Sequence, residues 1–444
     1  MAAEAEDTQQ TTNDEQASAA GCTMSWASVP RGEAWDGFFP FLDQLRADEV
    51  VWDEESGAWL VGSFEACREL AVHDGDGWQK RHVPEVERDV YLATVGGGSP
   101  RTIVYVEPGE TENSEEHARF HRWWGRAFSP RVIETWREQR IRPLVHEHID
   151  RFAGRGTAEL FADLAGPVPG RVIAATLGLP TDEDFVQKCE YYRDHTRVAR
   201  TGPSSVRFLP TDDPVVQHAL QAAQEWTDLL MPLVRERRGS DGDDFLAMLW
   251  RDAHEFFDPG WDETDILGTV KLMFGAGSYT TGGGIANALY LALARPDLAD
   301  QVRKGDDDVL TRFVEESLRL YTPALFTIRR ATKDLELAGA QIREGDVAVM
   351  VNAAANRDPA RFECPVDVDL ERSMPRGHLA FHWGPRACPG QALARAEIKE
   401  AVSAVLTRLP DVRFTPGAEP PLYPGDSKMM VRGWRPLHVT FTPN

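Results

Sequence analysis

The stretch Phe381-His382-Trp383-Gly384-Pro385-Arg386-Ala387-Cys388-Pro389-Gly390 constrains this chain more than any other. One thiol sits in a turn rich in Gly and Pro, and an uninterrupted helical pattern follows from Gln391. Free backbone N–H groups and the dipole at a helix N-terminus stabilise a thiolate. A thiolate held in this way is a soft, electron-donating ligand. A lone Cys is more often a small core residue. Here Phe381, Gly384, Arg386, Cys388 and Gly390 fall together into the spacing Phe-x-x-Gly-x-Arg-x-Cys-x-Gly.

With 444 residues, 42% of them hydrophobic, the chain can bury a large core. No Gly/Ser or Pro-rich linker divides it, so 26–444 reads as one domain behind a disordered acidic tail, 1–25. Residues 1–20 carry no Lys, Arg or apolar run, which fits neither a signal peptide nor a membrane anchor. The net charge of −23 argues against nucleic acid or an anionic membrane as a partner. Cys22, Cys67, Cys189, Cys364 and Cys388 are few and widely spaced, without a disulfide framework or zinc spacing. A reducing cytoplasm is the expected compartment. Leu272 to Ala294 is free of charge and long enough to span a bilayer. Its glycines, with Ser278, Thr280, Thr281 and Asn287, mark it instead as a core helix, apolar on all sides.

Short apolar runs at 49–52 and 58–61 predict a hairpin, and 64–72 predicts a helix capped by Ser63. Residues 73–110 read as a long irregular segment. Helical patterns then occupy 114–128, 131–152, 158–177, 182–196, 212–238, 243–254, 263–294 and 308–321. After Thr322 the chain alternates as strands over 326–337 and 341–351, with turns at Gly339 and Gly345. A helix over 391–408 and short strands over 411–441 close it. The composition of elements is mainly α with small β pieces at both ends.

The Cys-loop spacing resembles the haem-binding loop of the cytochromes P450, and the resemblance covers nearly the whole chain after about residue 30. It implies the triangular-prism fold of that family, mainly α with small β-sheets. Haem b would lie between a central oxygen-binding helix and the Cys loop with its following helix. Cys388 would be the axial ligand to the haem iron, with Phe381 and Gly390 as parts of the loop. Glu316-Ser317-Leu318-Arg319 is, by itself, an i, i+3 pair on a helix. In its place before the loop it resembles the family's Glu-x-x-Arg motif, a structural pair joined by Asn356-Arg357-Asp358-Pro359 and Phe362.

Gly275-Ala276-Gly277-Ser278-Tyr279-Thr280-Thr281 resembles the family's oxygen-binding helix, Ala/Gly-Gly-x-Asp/Glu-Thr. The resemblance implies that Ala276 and Gly277 let the helix pass close to the haem and that Thr280 delivers protons. The expected acid is replaced by Tyr279, a neutral hydroxyl donor whose unperturbed pKa is about 10. His117-Ala118-Arg119-Phe120-His121 resembles a His-x-x-x-Arg motif with His121 in the last place. His117, His121, Arg386 and Arg329 are therefore expected at the haem propionates. Arg119, Arg122 and Arg126 on one helix, and Arg395 and Lys399 on another, stand out in so acidic a chain. They are expected to dock an acidic electron carrier.

The activity implied is that of a soluble monooxygenase, working as a monomer away from membranes. It would insert one oxygen atom from O2 into an apolar or aromatic small molecule, in secondary metabolism or catabolism. Electrons would come from NAD(P)H through a ferredoxin and its reductase. The pocket is expected to draw on 85–106, 197–209, 273–280, 325–328 and 427–429. Two alternatives stay open: oxidative coupling, nitration or peroxide use, suggested by Tyr279, and a haem-thiolate sensor without turnover.

Overall fold

The computed structural model describes residues 37–73, 76–79, 114–196, 200–201, 207–208, 212–256, 261–373, 376–424 and 431–443. Helix α1 (Phe38–Asp48) leads into the hairpin β1 (Val50–Asp53) and β2 (Ala58–Val61), paired antiparallel with Val50 opposite Val61. Helix α2 (Phe64–Val72) follows, with Ser63 Oγ accepting from Ala66 N at 3.3 Å as the cap. The short strand β3 (Trp78–Gln79) comes next.

The helical part comprises α3 (Ser114–Ala127), α4 (Pro130–Trp136), α5 (Arg142–Asp150), α6 (Pro167–Leu177), α7 (Glu183–Thr196), α8 (Pro214–Glu236), α9 (Phe245–Phe256), α10 (Glu263–Ala294), α11 (Pro296–Lys304) and α12 (Asp307–Leu320). Strand β4 (Thr157–Glu159) lies between α5 and α6. Beyond α12 come β5 (Thr327–Ala331), β6 (Leu335–Leu337), β7 (Ala340–Ile342), β8 (Val347–Met350), the single turn α13 (Asn352–Ala355), α14 (Gln391–Arg408), β9 (Arg413–Phe414) and β10 (His438–Thr440). One sheet has the order β1-β2-β8-β5-β3, in which β8 runs parallel to β2 and antiparallel to β5. Another has the order β9-β10-β4.

Most of the expected elements are present, and the departures have local causes. The helix expected over 131–152 is broken by a π turn at Arg137–Ile141. Pro143 has no N–H to give the carbonyl four residues back, and the ladder widens there. Of the helix expected over 158–177, Thr157–Glu159 instead pairs as a strand with β10, a π turn occupies Phe161–Ala165, and α6 starts at Pro167. Helices α1 and α11 were not expected; α11 starts at a Pro in its first turn directly after α10 ends.

Helix α10 organises the core. Asp262 and Asp265 form a capping box: Asp262 Oδ1 accepts from Thr264 N at 2.8 Å, and Asp265 Oδ2 accepts from Asp262 N at 3.0 Å. From that start the helix runs 32 residues, about 48 Å at 1.5 Å per residue. It packs against α6, α8, α12 and α14 and is buried along most of its length. Its glycines make the approaches possible. A Cβ on Gly282 would fall 2.8 Å from the Ala165 carbonyl oxygen, and one on Gly284 would fall 2.8 Å from Ile398 of α14. Among the described residues no helix is long and apolar enough to cross a membrane.

Lys271 brings an amine into this core. Lys271 of α10 is 6% exposed; its Nζ donates to Ala223 O at 3.1 Å and Thr227 Oγ1 at 2.7 Å on α8. Burial pulls its pKa down to about 8, against a smaller upward pull from Asp228. The folded chain thus prefers the neutral amine. The cost is complete below pH about 8 and is relieved as pH rises toward the ordinary lysine value, about 10.4. Stability should therefore climb with pH across that window. Lys271→Met should remove the climb and raise stability at pH 7 by on the order of 2 kcal/mol in urea unfolding.

Candidate active site

The two carboxylates Glu315 and Glu316, adjacent on α12, both lie at 0% exposure and face different partners. Glu316 receives Arg319 in a two-pronged pair, Nε to Oε1 at 2.8 Å and Nη2 to Oε2 at 2.9 Å. Arg319, itself at 0% exposure, also donates to the carbonyls of Asn356, Pro365 and Asp367 at 3.0, 2.6 and 2.8 Å. Its guanidinium lies 5.2 Å from the centre of the Phe362 ring. This is the structural arrangement expected of the Glu-x-x-Arg pair: it fastens the segment before the Cys loop to α12. Burial raises the Glu316 pKa, but the Arg319 hydrogen bonds and charge outweigh it and leave the carboxylate below its usual range.

Glu315 fastens the other side of the loop. His378 Nε2 lies 2.9 Å from its Oε2, and Arg395 of α14 donates Nε to Oε1 at 2.6 Å and Nη2 to Oε2 at 3.0 Å. Arg395 is also stacked 4.3 Å from the centre of the Phe381 ring. Burial pushes Glu315 up, yet hydrogen bonds from His378 and Arg395 hold it down at about 2. The docking role expected for Arg395 is corrected here: its side chain is 12% exposed and consumed by Glu315. Lys399 is likewise engaged, with Nζ 2.7 Å from Asp307 Oδ2 and 2.9 Å from Thr311 Oγ1. Arg122 and Arg126 of α3 are exposed.

Between these fastenings the loop turns tightly. Cys388 N donates to Phe381 O at 2.8 Å, closing the turn before Gly390 begins α14. Gly384 has φ +67°, and a Cβ there would lie 2.7 Å from the Ala71 carbonyl oxygen, so only Gly fits. Gly390 differs: its Cβ would meet nothing nearer than Cys388 Sγ, at 4.0 Å. The protein's own packing does not demand glycine there. Burial pushes the Cys388 thiol up; the Gly390 N–H and the Arg395 charge pull it down by less. The stabilisation expected from the helix N-terminus is thus outweighed by burial in the protein alone. A coordinated metal makes the thiolate outright.

Arg329 of β5 is 2% exposed, and its Nη2 lies 3.1 Å from His382 Nε2 in the Cys loop. Sequence reasoning missed His382, which takes a left-handed φ of +62° that favours Gly. Arg386, in the 3-10 turn Gly384–Arg386, and His121 on α3 are half-buried. The side chain of His117 lies outside the described residues, as do 85–106, most of 197–209 and 427–429.

On α10 the expected residues divide. Ala276 is exposed and Thr280 half-exposed in the middle of a helix whose Gly275 and Ser278 are buried. They lie one turn apart, and Thr280 Oγ1 donates to Ala276 O at 2.8 Å. Gly277 has a different reason from the one expected: a Cβ there would fall 2.7 Å from Ile173 Cδ1 of α6. Haem is the group the resemblance implies, and the residues fit it. A lone thiol stands at a glycine that packing leaves open, two arginines come from the same loop and the adjoining strand, and the central helix opens at its smallest side chain.

Arg395→Glu should bring two carboxylates together in a buried place and cost about 3–5 kcal/mol. Urea unfolding checks this; a loss under about 1 kcal/mol, the value of a surface pair, would contradict the contact.

Among known proteins, residues 180–439 match the family model for cytochrome P450. The chain is 31% identical over 416 residues to the cytochrome P450 monooxygenase PikC of Streptomyces venezuelae, covering 90% of each. It is 30% identical to the 6-deoxyerythronolide B hydroxylase of Saccharopolyspora erythraea, over 80% of this chain and 83% of the relative. Substrate-free CYP109E1 of Bacillus megaterium shares the fold, with a TM-score of 0.76 at 23% identity over 92% of this chain and 99% of that one. The family matched across the site and the identity held along nine-tenths of a monooxygenase agree with the thiol loop, and the chain belongs to the cytochrome P450 superfamily as a haem-thiolate monooxygenase.

Proposed function

We propose that the chain holds haem b through Cys388 and inserts one oxygen atom from O2 into an apolar or aromatic small molecule. The observation that carries this is the Cys loop. Two buried carboxylates, Glu315 and Glu316, brace it, and Cys388 Sγ is the atom nearest a Cβ built on Gly390, at 4.0 Å. Haem ligated by a thiolate supplies oxygen activation, the thiolate pushing electron density that favours O–O cleavage.

The chain's own residues have simpler tasks. Arg329 and Arg386, with His117 and His121, neutralise the two propionates. Phe381 packs beneath Arg395 and keeps the loop in place. Ala276 gives room along α10, and the Thr280 hydroxyl holds a proton at the site. Met273 to Thr280 and Leu325 to Ile328 supply an apolar wall. A 30%-identical relative is by name a hydroxylase of 6-deoxyerythronolide B, which supports hydroxylation of a secondary metabolite over coupling. The protein works as a cytoplasmic monomer, with residues 26–444 as one domain.

Each turnover takes one O2, two electrons and two protons, places one oxygen in the substrate and releases the other as water. The electrons come from NAD(P)H through a ferredoxin reductase and a ferredoxin. Arg122 and Arg126, exposed on α3 beside Arg119, are the docking cations on that helix. Reversing both to Glu should slow reduction by ferredoxin and flatten its dependence on ionic strength. An unchanged rate would make them plain surface.

A spectral titration with apolar and aromatic compounds tests the substrate class, since a ligand that expels iron-bound water shifts the haem band. Incubation of a responding compound with O2, NAD(P)H and surrogate partners should add one oxygen to its mass. Loss of hydrogens without added oxygen would favour the coupling chemistry that Tyr279 suggests. Failure of substrate to alter NAD(P)H consumption would favour a sensor.

A further inference from the structure

Two consecutive residues of α7 grip two consecutive residues of α10 directly before Thr280. Tyr279 donates its hydroxyl to Asp194 Oδ2 at 2.9 Å. The other oxygen of that carboxylate, Oδ1, accepts from Arg193 Nε at 2.9 Å. The Arg193 guanidinium lies 3.9 Å from the centre of the Tyr279 ring, and its Nη1 donates to Ser278 Oγ. Arg193 is 4% exposed, whereas Asp194 keeps 27% of its side chain in solvent. Glu190, one turn back on α7, lies 3.8 Å from Arg193.

The chemistry of this group is asymmetric. Arg193 is a fixed cation that fills one carboxylate oxygen and one ring face. The phenol both donates and accepts, but by itself it is a weak acid and a slow source of protons. The Asp194 carboxylate reaches water with part of its side chain. Position 279 lacks an acid in the sequence, yet a carboxylate stands one hydrogen bond beyond its side chain, contributed by another helix.

We propose that Asp194 is the carboxylate that serves the Thr280 side of α10, taking protons from water and passing them through the Tyr279 hydroxyl. In the geometry seen the phenol's proton points to Asp194. Once Asp194 has taken a proton from water the hydroxyl rotates away. Asp194 then gives its proton to the phenol oxygen, and the phenol's own proton passes to a water on the Thr280 side. Tyr279 ends neutral, Asp194 ends ionised, and water restores it. Asp194 is a positioning and supply residue, acting through Tyr279. Its role rests on the monooxygenase reading, but the Asp194–Tyr279 hydrogen bond does not.

Two measurements on the full-length protein separate these. In the first, urea unfolding of Asp194→Asn, Tyr279→Phe and the double variant reads the contact without turnover. The two single changes should be non-additive, the double variant unfolding several-fold less readily than their product predicts. Simple additivity would remove the contact and overturn the proposal.

In the second, haem-loaded protein with a surrogate ferredoxin, its reductase and NAD(P)H consumes O2 with no organic substrate added. This needs two protons for each hydrogen peroxide or four for two waters. Asp194→Asn should keep haem loading and slow O2 uptake by about tenfold, part of what a positioned proton donor contributes. Asp194→Glu should restore the rate, and so should Tyr279→Asp placed in the Asp194→Asn background, which returns a carboxylate to α10. An unchanged rate in Asp194→Asn overturns the proposal. So does a loss that neither change rescues, because the network would then be structural only. A wild-type protein that takes up no O2 would count against the monooxygenase reading and leave the unfolding result to decide the contact.

Discussion

A buried ion pair of 0% exposure, Glu316 with Arg319, is the interaction on which the site depends. Charges removed from water must be matched in full, or the structure pays several kcal/mol for each. Arg319 meets that condition with one carboxylate and three carbonyls from the segment between Asn356 and Asp367. The segment has little regular structure of its own, so these bonds, more than a helix or sheet, fix its course. Glu315, one residue earlier, extends the same device to His378 and Arg395. Two adjacent side chains of α12 thus secure both approaches to the Cys loop, and α14 is tied to α12 across it. A thiol on a loose turn would be a poor ligand; here the turn is held by charges that have nowhere else to go.

The helices and the Cys turn were legible because they depend on local pattern. The helical pattern of α10, with its charge-free run from Leu272 to Ala294, placed the central helix at Glu263–Ala294. Ser63 was recognisable as a cap from its place before an apolar run. The π turn around Arg137–Ile141 and the strand Thr157–Glu159 were not, since the first answers to a single Pro and the second to a partner strand nearly three hundred residues away. Site residues divide along the same line. Cys388, Arg386 and Phe381 share one loop and one spacing. Arg395 looked like a surface cation because its partner, Glu315, lies 80 positions earlier. Gly277 looked like a cofactor approach because Ile173 was invisible to its neighbours in sequence.

Tyr279 shows how the same limit bears on chemistry. Read along α10, the position has lost its acid. Read across to α7, the hydroxyl ends on Asp194, and Arg193 covers the ring. Function at such a site follows from what the packing of two helices brings together, and substitution on one helix is interpretable only with the facing residue in view. The buried Lys271, held by a carbonyl and a hydroxyl of α8, is a charge in this same helix whose setting comes from a neighbour.

The central claim is that the sulfur of Cys388 binds the haem iron. The absorption spectrum of the reduced carbon-monoxide complex tests it most directly, because a thiolate ligand gives a band displaced well to the red of that given by other ligands. The wild-type protein should show the thiolate band, and Cys388→Ser should bind haem weakly or show only the unshifted band. A Cys388→Ser protein that keeps the thiolate band would contradict the assignment and require a different ligand.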